Sequence, residues 1–355
     1  MRSNLSNAIP ANSTQKGPFD LTVDPIASFV NFELADDPTY DGLELQWFDD
    51  ALHGTGMLAF LSRRADRKVD YYYQPGLTLD HVSYVIGAGT GSWLVTNFAA
   101  ARLEISSDGI DVQVEFVDSD GRLIEVRVDD RDGRRRRRAH LLAPVSAGIE
   151  RPNALLLVWL RGFDLVRASG QAAIRIGGRD ASIGRLPGAA LHRRRLIKYG
   201  APLCAVQLNR NHSGPLHDGA STASVDTLVV TQAGHTARLA LDPALPDLSA
   251  LPDGATADGA WRIEVDGAAL TGGRWRASRD GQDVRIGMDV DQRWKPHSLP
   301  LLMRVVTRVL PVFRQWPTTY RWRATIRLGP VPSMASAWER TQTDGGDAYR
   351  RATGS

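Results

Sequence analysis

Between residues 100 and 133 the chain alternates with the pleat of a strand. Val112, Val114 and Phe116 are separated by Gln113 and Glu115, and Ile124, Val126 and Val128 by Glu125 and Arg127. A period of two sends one set to a buried face and the other outward, as in a half-buried antiparallel strand. Asp-Gly steps at 108–109, 120–121 and 132–133 punctuate the stretch, and such steps supply the positive φ that tight hairpin turns require. Residues 259–291 repeat the style, with Asp266-Gly267, Gly272-Gly273 and Asp280-Gly281 as the expected turns. Meanders on both sides of residue 210 predict an all-β chain built as two consecutive antiparallel barrels or sandwiches. The units are expected over 18–208 and 220–335, with flexible tails at 1–17 and 340–355. The Pro- and Ala-rich stretch 239–259 reads as a surface loop.

One segment departs from period two. Leu301, Leu302, Val305, Val306 and Val309 surround Arg304 and Arg308, and arginines four apart share one face of a helix. Pro300 and Pro311 bracket the segment, so a short C-terminal helix near 300–310 is predicted. Its expected role is to plug or cover a barrel; the sharper alternative is a basic amphipathic helix in peripheral contact with a membrane surface. Beyond it, Tyr320, Trp322, Ala324 and Ile326 return to one strand face.

Charge narrows the partners. The 43 Lys and Arg against 40 Asp and Glu leave a formal charge of only +3, so no nucleic-acid partner is expected from the surface as a whole. The local exception is five consecutive arginines at 134–138, directly after Asp132-Gly133. They read as the return strand of a hairpin, facing Asp129, Asp130 and Asp132, where opposite charges favour pairing and arginine discourages edge-to-edge association. No aromatic residue interleaves the run, so it lacks the stacking platform of a single-strand binder.

Cys204 is the only cysteine, which excludes an internal disulfide and a cysteine metal cage, and its apolar neighbours suggest an inert thiol. No stretch offers the roughly 18 apolar residues of a membrane span, and the N-terminus lacks a signal-peptide core, so a cytoplasmic location is expected. Neither a metal nor a cofactor is expected, because P-loop, H-E-x-x-H and G-x-S-x-G motifs are missing. The glycine-rich segment 87–93 runs into a strand-like stretch instead of the helix that would receive a dinucleotide phosphate.

Candidate chemistry gathers in "LELQWFDDALHGTGMLAFLSRR". Trp47, Phe48, Asp49, Asp50 and His53 lie between a strand expected to end at Gln46 and another expected to begin near Gly56. At a barrel mouth, Asp49, Asp50 and His53 would be acid/base residues and Trp47 a binding face; alternatively the aspartates only shape the turn and Trp47 is core. The run "QWFDDALHGTGMLAF" resembles the start of the hydroxyneurosporene synthase (carotenoid hydratase) family and its lipocalin-like relatives. There a Trp-aromatic-Phe-Asp run precedes a short loop, a Gly and an apolar strand. The resemblance implies two consecutive lipocalin-like (calycin) barrels and hydration of isoprenoid double bonds. This chain lacks the family's doubled tryptophan-tyrosine opening, which leaves the reaction type open.

Two further stretches contribute candidates. In "VDYYYQPGLTLDHVSY", period two puts Tyr71 and Tyr73 on one face as substrate-binding candidates and Tyr72 on the other, while Asp80 and His81 point apart. In "QLNRNHSGPLHDG", Asn209 and Asn211 are binding candidates and His212 an acid/base candidate beside Arg210, His217 and Asp218, with no established metal spacing. Together these predict an enzyme, a lyase or isomerase, acting on a hydrophobic small molecule of isoprenoid or polyketide type. Hydration, dehydration, isomerisation and cyclisation all need one proton given and one removed. Two alternatives are a non-catalytic carrier, which needs only the cavity, and a carbohydrate-processing β-protein, for which the nine tryptophans would serve.

Overall fold

Alternating apolar residues become strands along most of the chain. The computed structural model describes residues 13–81, 89–147, 149, 151–168, 170–216, 222–296 and 299–341. The first strands are β1 (Ser13–Lys16), β2 (Phe19–Ile26), β3 (Ser28–Glu33), β4 (Tyr40–Asp50), β5 (Gly54–Arg63), β6 (Val69–Tyr73) and β7 (Thr90–Val95). A meander follows as β8 (Ala100–Ser106), β9 (Gly109–Val117) and β10 (Leu123–Asp129). Then come β11 (Ala139–Ala143), β12 (Leu155–Arg167), β13 (Gln171–Ile176), β14 (Arg179–Asp180), the one-turn α1 (Ala189–His192), β15 (Arg194–Gly200) and β16 (Leu203–Leu208). The C-terminal part holds β17 (His212–Pro215), β18 (Val225–Gln232), β19 (His235–Leu245), β20 (Thr256–Val265), β21 (Ala268–Asp280) and β22 (Asp283–Gln292). Helices α2 (Leu301–Val309) and α3 (Pro311–Gln315) precede β23 (Tyr320–Arg327) and β24 (Ser333–Arg340).

Three sheets result. The first has eleven strands in the order β1-β2-β16-β12-β15-β3-β4-β5-β6-β7, with β11 also paired to β12. Its pairs are antiparallel except β6 with β7. The second runs β14-β13-β10-β9-β8 and the third β17-β24-β23-β22-β21-β20-β19-β18. Two of these sheets curl into half-barrels. In the first sheet β2 passes into β3 through Ala27 alone, and Ala27 N–H donates to the Trp47 carbonyl (3.0 Å), so one chain segment serves both sides of the curl.

Burial follows the alternation. Odd positions of β2 (Phe19, Leu21, Val23) join Leu155, Leu157 and Trp159 of β12 in one core with the third sheet. Trp261, Trp275, Trp322 and Trp338 fill that core and are at most 1% exposed, and each buries roughly 150–250 Å². A second core lies between the first sheet and the β8–β10 meander, joining Val30, Leu45 and Met57 to Val112, Val114 and Val126. A third lines the concave face of the first sheet and includes Phe60, Tyr71, Leu160 and Leu203 together with Leu299 and Met303 beside α2. Through Met303 the C-terminal helix packs on this third cluster. Among the described residues no helix is long and apolar enough to cross a membrane.

Several sequence expectations need correction. The arginine run is not a strand: β10 ends at Asp129, β11 begins at Ala139, and the arginines form an irregular crossing from the second sheet to the first. Gly272-Gly273 is not a turn but lies inside β21, beside a break in register, where a Cβ on Gly273 would stand 1.8 Å from the Asp289 carbonyl oxygen. The loop expected over 239–259 shrinks to 246–255, since β19 reaches Leu245 and β20 starts at Thr256. Residues 13–16, expected within a tail, pair with β2. Finally β4 runs on to Asp50 and β5 starts at Gly54, which places Asp49 and Asp50 on opposite faces of one strand.

Candidate functional site

Register sorts the side chains of the first sheet. Asp24 is opposite Ala205, and Thr22 opposite Gln207; Ala205 is opposite Val158 and Gln207 opposite Leu156. Partners across antiparallel strands share a face, so all six stand on the concave side. The same parity carries Glu44, Gln46, Phe48 and Asp50 of β4 to that side. Between these walls lies a cavity of about 100 Å³. Ile26, Phe29, Phe60, Val158, Leu160 and Leu203 make its apolar lining, and Asp24, Glu44, Gln46 and Gln207 its polar positions. Val145 also lines it while remaining 45% exposed, which marks the route to the surface.

Behind Asp24 stands a buried imidazole between two carboxylates. Asp50 Oδ1 accepts the backbone N–H of Leu52 (2.8 Å) and of His53 (3.0 Å), closing the turn between β4 and β5. Asp50 Oδ2 meets His53 Nδ1 at 3.0 Å. Because an ionised carboxylate only accepts, the hydrogen-bond pattern assigns the proton to Nδ1. His53 Nε2 then faces Asp24 Oδ1, 3.9 Å away. The ring is 5% exposed and packs on Phe48 with centroids 4.8 Å apart. The Thr78 N–H donates to the His53 carbonyl (2.9 Å), so the segment after β6 holds this corner. Gln207 Nε2 lies 3.5 Å from Asp24 Oδ2.

A second carboxyl occupies the other polar position. Glu44 accepts from Gln46 Nε2 (2.7 Å) and Asn31 Nδ2 (3.1 Å). Burial pushes the Glu44 carboxyl above the ordinary carboxylate range, opposed by these two donors and by the charge of Lys198. Lys198 Nζ itself contacts Glu33 Oε1 at 2.5 Å. Two buried polar atoms on the concave face, Thr22 Oγ1 and Gln46 Oε1, have no hydrogen-bond partner among the described residues. Buried polar groups are normally satisfied, so a bound molecule or water is the expected complement.

The structure brings some predicted residues together and separates others. Asp50 and His53 meet at the lumen wall. Asp49 is exposed on the opposite face of β4 and accepts from Thr55 Oγ1 (2.9 Å). Trp47 shares that opposite face and packs toward the meander core. Tyr71 is buried on the concave side, edge-on to Phe60 (5.0 Å) and stacked on Trp93 (4.1 Å). Tyr73 meets Trp93 and His81 at 5.9 and 5.8 Å, extending this aromatic wall.

Asn209, Asn211 and His212 stand apart from the cavity, at the junction with the third sheet. Asn209 is fully buried and its carbonyl accepts from Trp338 Nε1 (2.8 Å). Asn211 Oδ1 accepts the Trp338 N–H (3.0 Å) and Asn211 Nδ2 donates to the Pro152 carbonyl (3.0 Å). His212 pairs with Ser336 in β17, while His217 and Asp218 lie outside the described residues. Asp24, Glu44, Gln46 and Gln207 were not singled out from sequence. Their signal is polar alternation within otherwise apolar strands, which a lumen and bulk solvent produce alike.

The same junction holds a titrating group. Burial raises the Asp20 carboxyl from 3.8 to about 6, against the opposing charges of Arg210 and His212 and the N–H of Arg210. The folded state thus holds this proton more tightly than the unfolded chain. Asp20 therefore stabilises the fold at low pH, and that contribution is lost as pH rises from about 4 through about 6. Asp20→Asn is expected to raise stability at pH 7.5 by up to about 3 kcal/mol and to change little at pH 4. Urea titrations at both pH values check this, and a pH-independent difference would contradict it.

Comparison with protein-family models, curated proteins and solved structures returned no match for this chain. Among the described residues no group of three or more His, Cys, Asp or Glu is arranged to hold a metal ion.

Proposed function

We propose that the first half-barrel is the site of acid/base chemistry on a hydrophobic small molecule. The observation that carries this reading is Asp24, set in an apolar cavity and backed by the buried His53–Asp50 pair. Asp50 fixes the ring and its tautomer, so His53 Nε2 can take a proton from Asp24 or return one once the 3.9 Å gap closes or one water bridges it. Asp24 is the group that reaches the ligand. Glu44, held toward its protonated form by burial, supplies an acid elsewhere in the same cavity. A base and an acid on one apolar lumen suit hydration, dehydration, isomerisation or cyclisation of an unsaturated molecule, and leave a lyase or isomerase as the reaction class. The resemblance of 46–60 to carotenoid hydratases points the same way for substrate class.

The cavity's size restricts what sits at the acid/base pair. An apolar cavity near 150 Å³ accommodates a benzene-sized group; about 100 Å³ therefore takes a small end group, with the rest of a longer molecule passing Val145. Sugar binding is disfavoured, because none of the nine tryptophans is exposed and stacking on sugar rings needs an open aromatic face.

Ala205 stands directly opposite Asp24, so Ala205→Leu should fill the cavity without disturbing either carboxylate. Organic extraction of the purified protein followed by mass spectrometry is expected to yield an apolar ligand from the parent and none from Ala205→Leu. Equal ligand content in both, or none in either, would count against the reading.

A further inference from the structure

Helix α2 is apolar on two sides, and only one of them is covered. Leu299 and Met303 join the cluster that contains the cavity-wall residues Ile26, Phe29, Phe60 and Leu203. On the outer side Leu301, Val305 and Val309 are 71%, 51% and 63% exposed. They are spaced by four residues and so form one stripe, which Leu310 continues at 43% exposure. Leaving such a stripe in water is unfavourable, and it points to a partner.

Charge identifies that partner. Arg293, Lys295, Arg304, Arg308 and Arg314 are all exposed, and no Asp or Glu occurs between Asp291 and Glu339. Among the described residues none of the five forms an ion pair, although arginines elsewhere on the surface are paired repeatedly. A second copy of the chain would bring these cations against one another across a two-fold axis. A nucleic-acid backbone would satisfy the charges and leave the apolar stripe wet. An anionic lipid surface satisfies both, with cations at the phosphates and the apolar stripe in the acyl boundary.

We propose that α2 and α3 form a docking face for an anionic lipid bilayer, with Leu301, Val305, Val309 and Leu310 immersed below the headgroups. Docking rests on the helix surface alone and holds whatever the cavity does. Combined with the proposed function, it sets the bilayer against the helix that packs on the apolar cluster of the cavity wall, so an apolar ligand could pass from the membrane toward the lumen along apolar surface.

Co-sedimentation with vesicles tests the proposal. Vesicles of phosphatidylcholine with about one-third phosphatidylglycerol are expected to pellet the protein at low salt, whereas pure phosphatidylcholine leaves it in the supernatant. An arginine near an anionic leaflet contributes roughly a fivefold factor, so the double variant Arg304→Gln/Arg308→Gln should weaken binding by about thirtyfold. The triple variant Leu301→Ser/Val305→Ser/Val309→Ser should weaken it by about tenfold or more, because the apolar stripe no longer partitions. All five positions are exposed, so melting temperatures should match the parent. The proposal fails if the protein ignores anionic vesicles. It also fails if the serine variant binds as well as the parent and duplex DNA competes, which would mark a generic polyanion surface. A parent dimer that the serine variant dissociates would make the stripe a self-interface and overturn the proposal as well.

Discussion

Asp24→Asn is expected to lower turnover of the cavity ligand by about a hundredfold or more, with the melting temperature little changed. Asparagine keeps the shape and the acceptor oxygen facing Gln207 but can neither take nor give a proton. His53→Gln should produce a similar loss, since it removes the imidazole that the proposed relay sets 3.9 Å from Asp24. The double variant should be no slower than the worse single one, because residues acting as one relay are not additive. Asp50→Asn offers an amide donor to Nδ1 where the carboxylate accepted, so it should reverse the tautomer and slow turnover while the turn survives. Asp49→Asn is the control: its side chain lies on the other face of β4 with Thr55, and activity should be that of the parent. Steady-state rates on the ligand recovered from the cavity decide the matter. If all four variants turn over normally, the dyad has no catalytic role; if turnover is absent in every form while ligand affinity persists, the protein is a carrier.

The contrast between Asp49 and Asp50 shows where sequence reasoning stopped. Alternation located β9, β10 and β23 without help, and the Asp-Gly steps at 108–109, 120–121, 266–267 and 280–281 do separate strands. The helix near 300–310 was equally legible, because apolar residues at helical spacing sit between two prolines. What period two cannot reveal is which face is dry. In "DLTVDPI" and "GLELQ" the polar members look like solvent-facing positions, yet Thr22, Asp24, Glu44 and Gln46 turn into the curl of an eleven-stranded sheet. Curvature arises from pairings such as β2 with β16 and β12 with β15, whose partners are distant in sequence. Only after those contacts form does a polar stripe become the wall of a cavity. The β4–β5 hairpin itself carries β4 four residues beyond its expected end at Gln46, and that extension separates two adjacent aspartates into a buried hydrogen-bonded residue and an exposed one.

Within the arginine run, Arg136→Ala is expected to cost about 3–5 kcal/mol of stability, whereas Arg135→Ala and Arg137→Ala should each stay within about 0.5 kcal/mol. The five residues are identical in sequence but not in surroundings. Arg135 and Arg137 are exposed, while the Arg136 side chain is 1% exposed. Arg136 Nε donates to the Asp108 carbonyl (2.6 Å), Nη2 reaches the Asp130 carbonyl, and the guanidinium lies 3.3 Å from Asp130 Oδ2 and 3.5 Å from Asp132 Oδ1. Its backbone N–H donates to the Ser107 carbonyl (2.7 Å). One side chain thus ties the crossing segment to two turns of the meander. Burial pushes the Asp130 carboxyl above its ordinary range, and the Arg136 charge is the main opposing influence. Without Arg136 the buried carboxylate would keep only the Arg167 N–H (3.4 Å) and the weaker influence of the Arg167 charge, a costlier state than one in which neither charge is present. The loss should therefore shrink as pH falls and Asp130 takes up a proton. For the same reason Asp130→Asn should recover part of the stability that Arg136→Ala removes, a coupling that a double-mutant cycle in urea measures directly. Equal losses at positions 135, 136 and 137, or a full additive penalty in the double variant, would show that the run acts through overall charge and not through this one buried guanidinium.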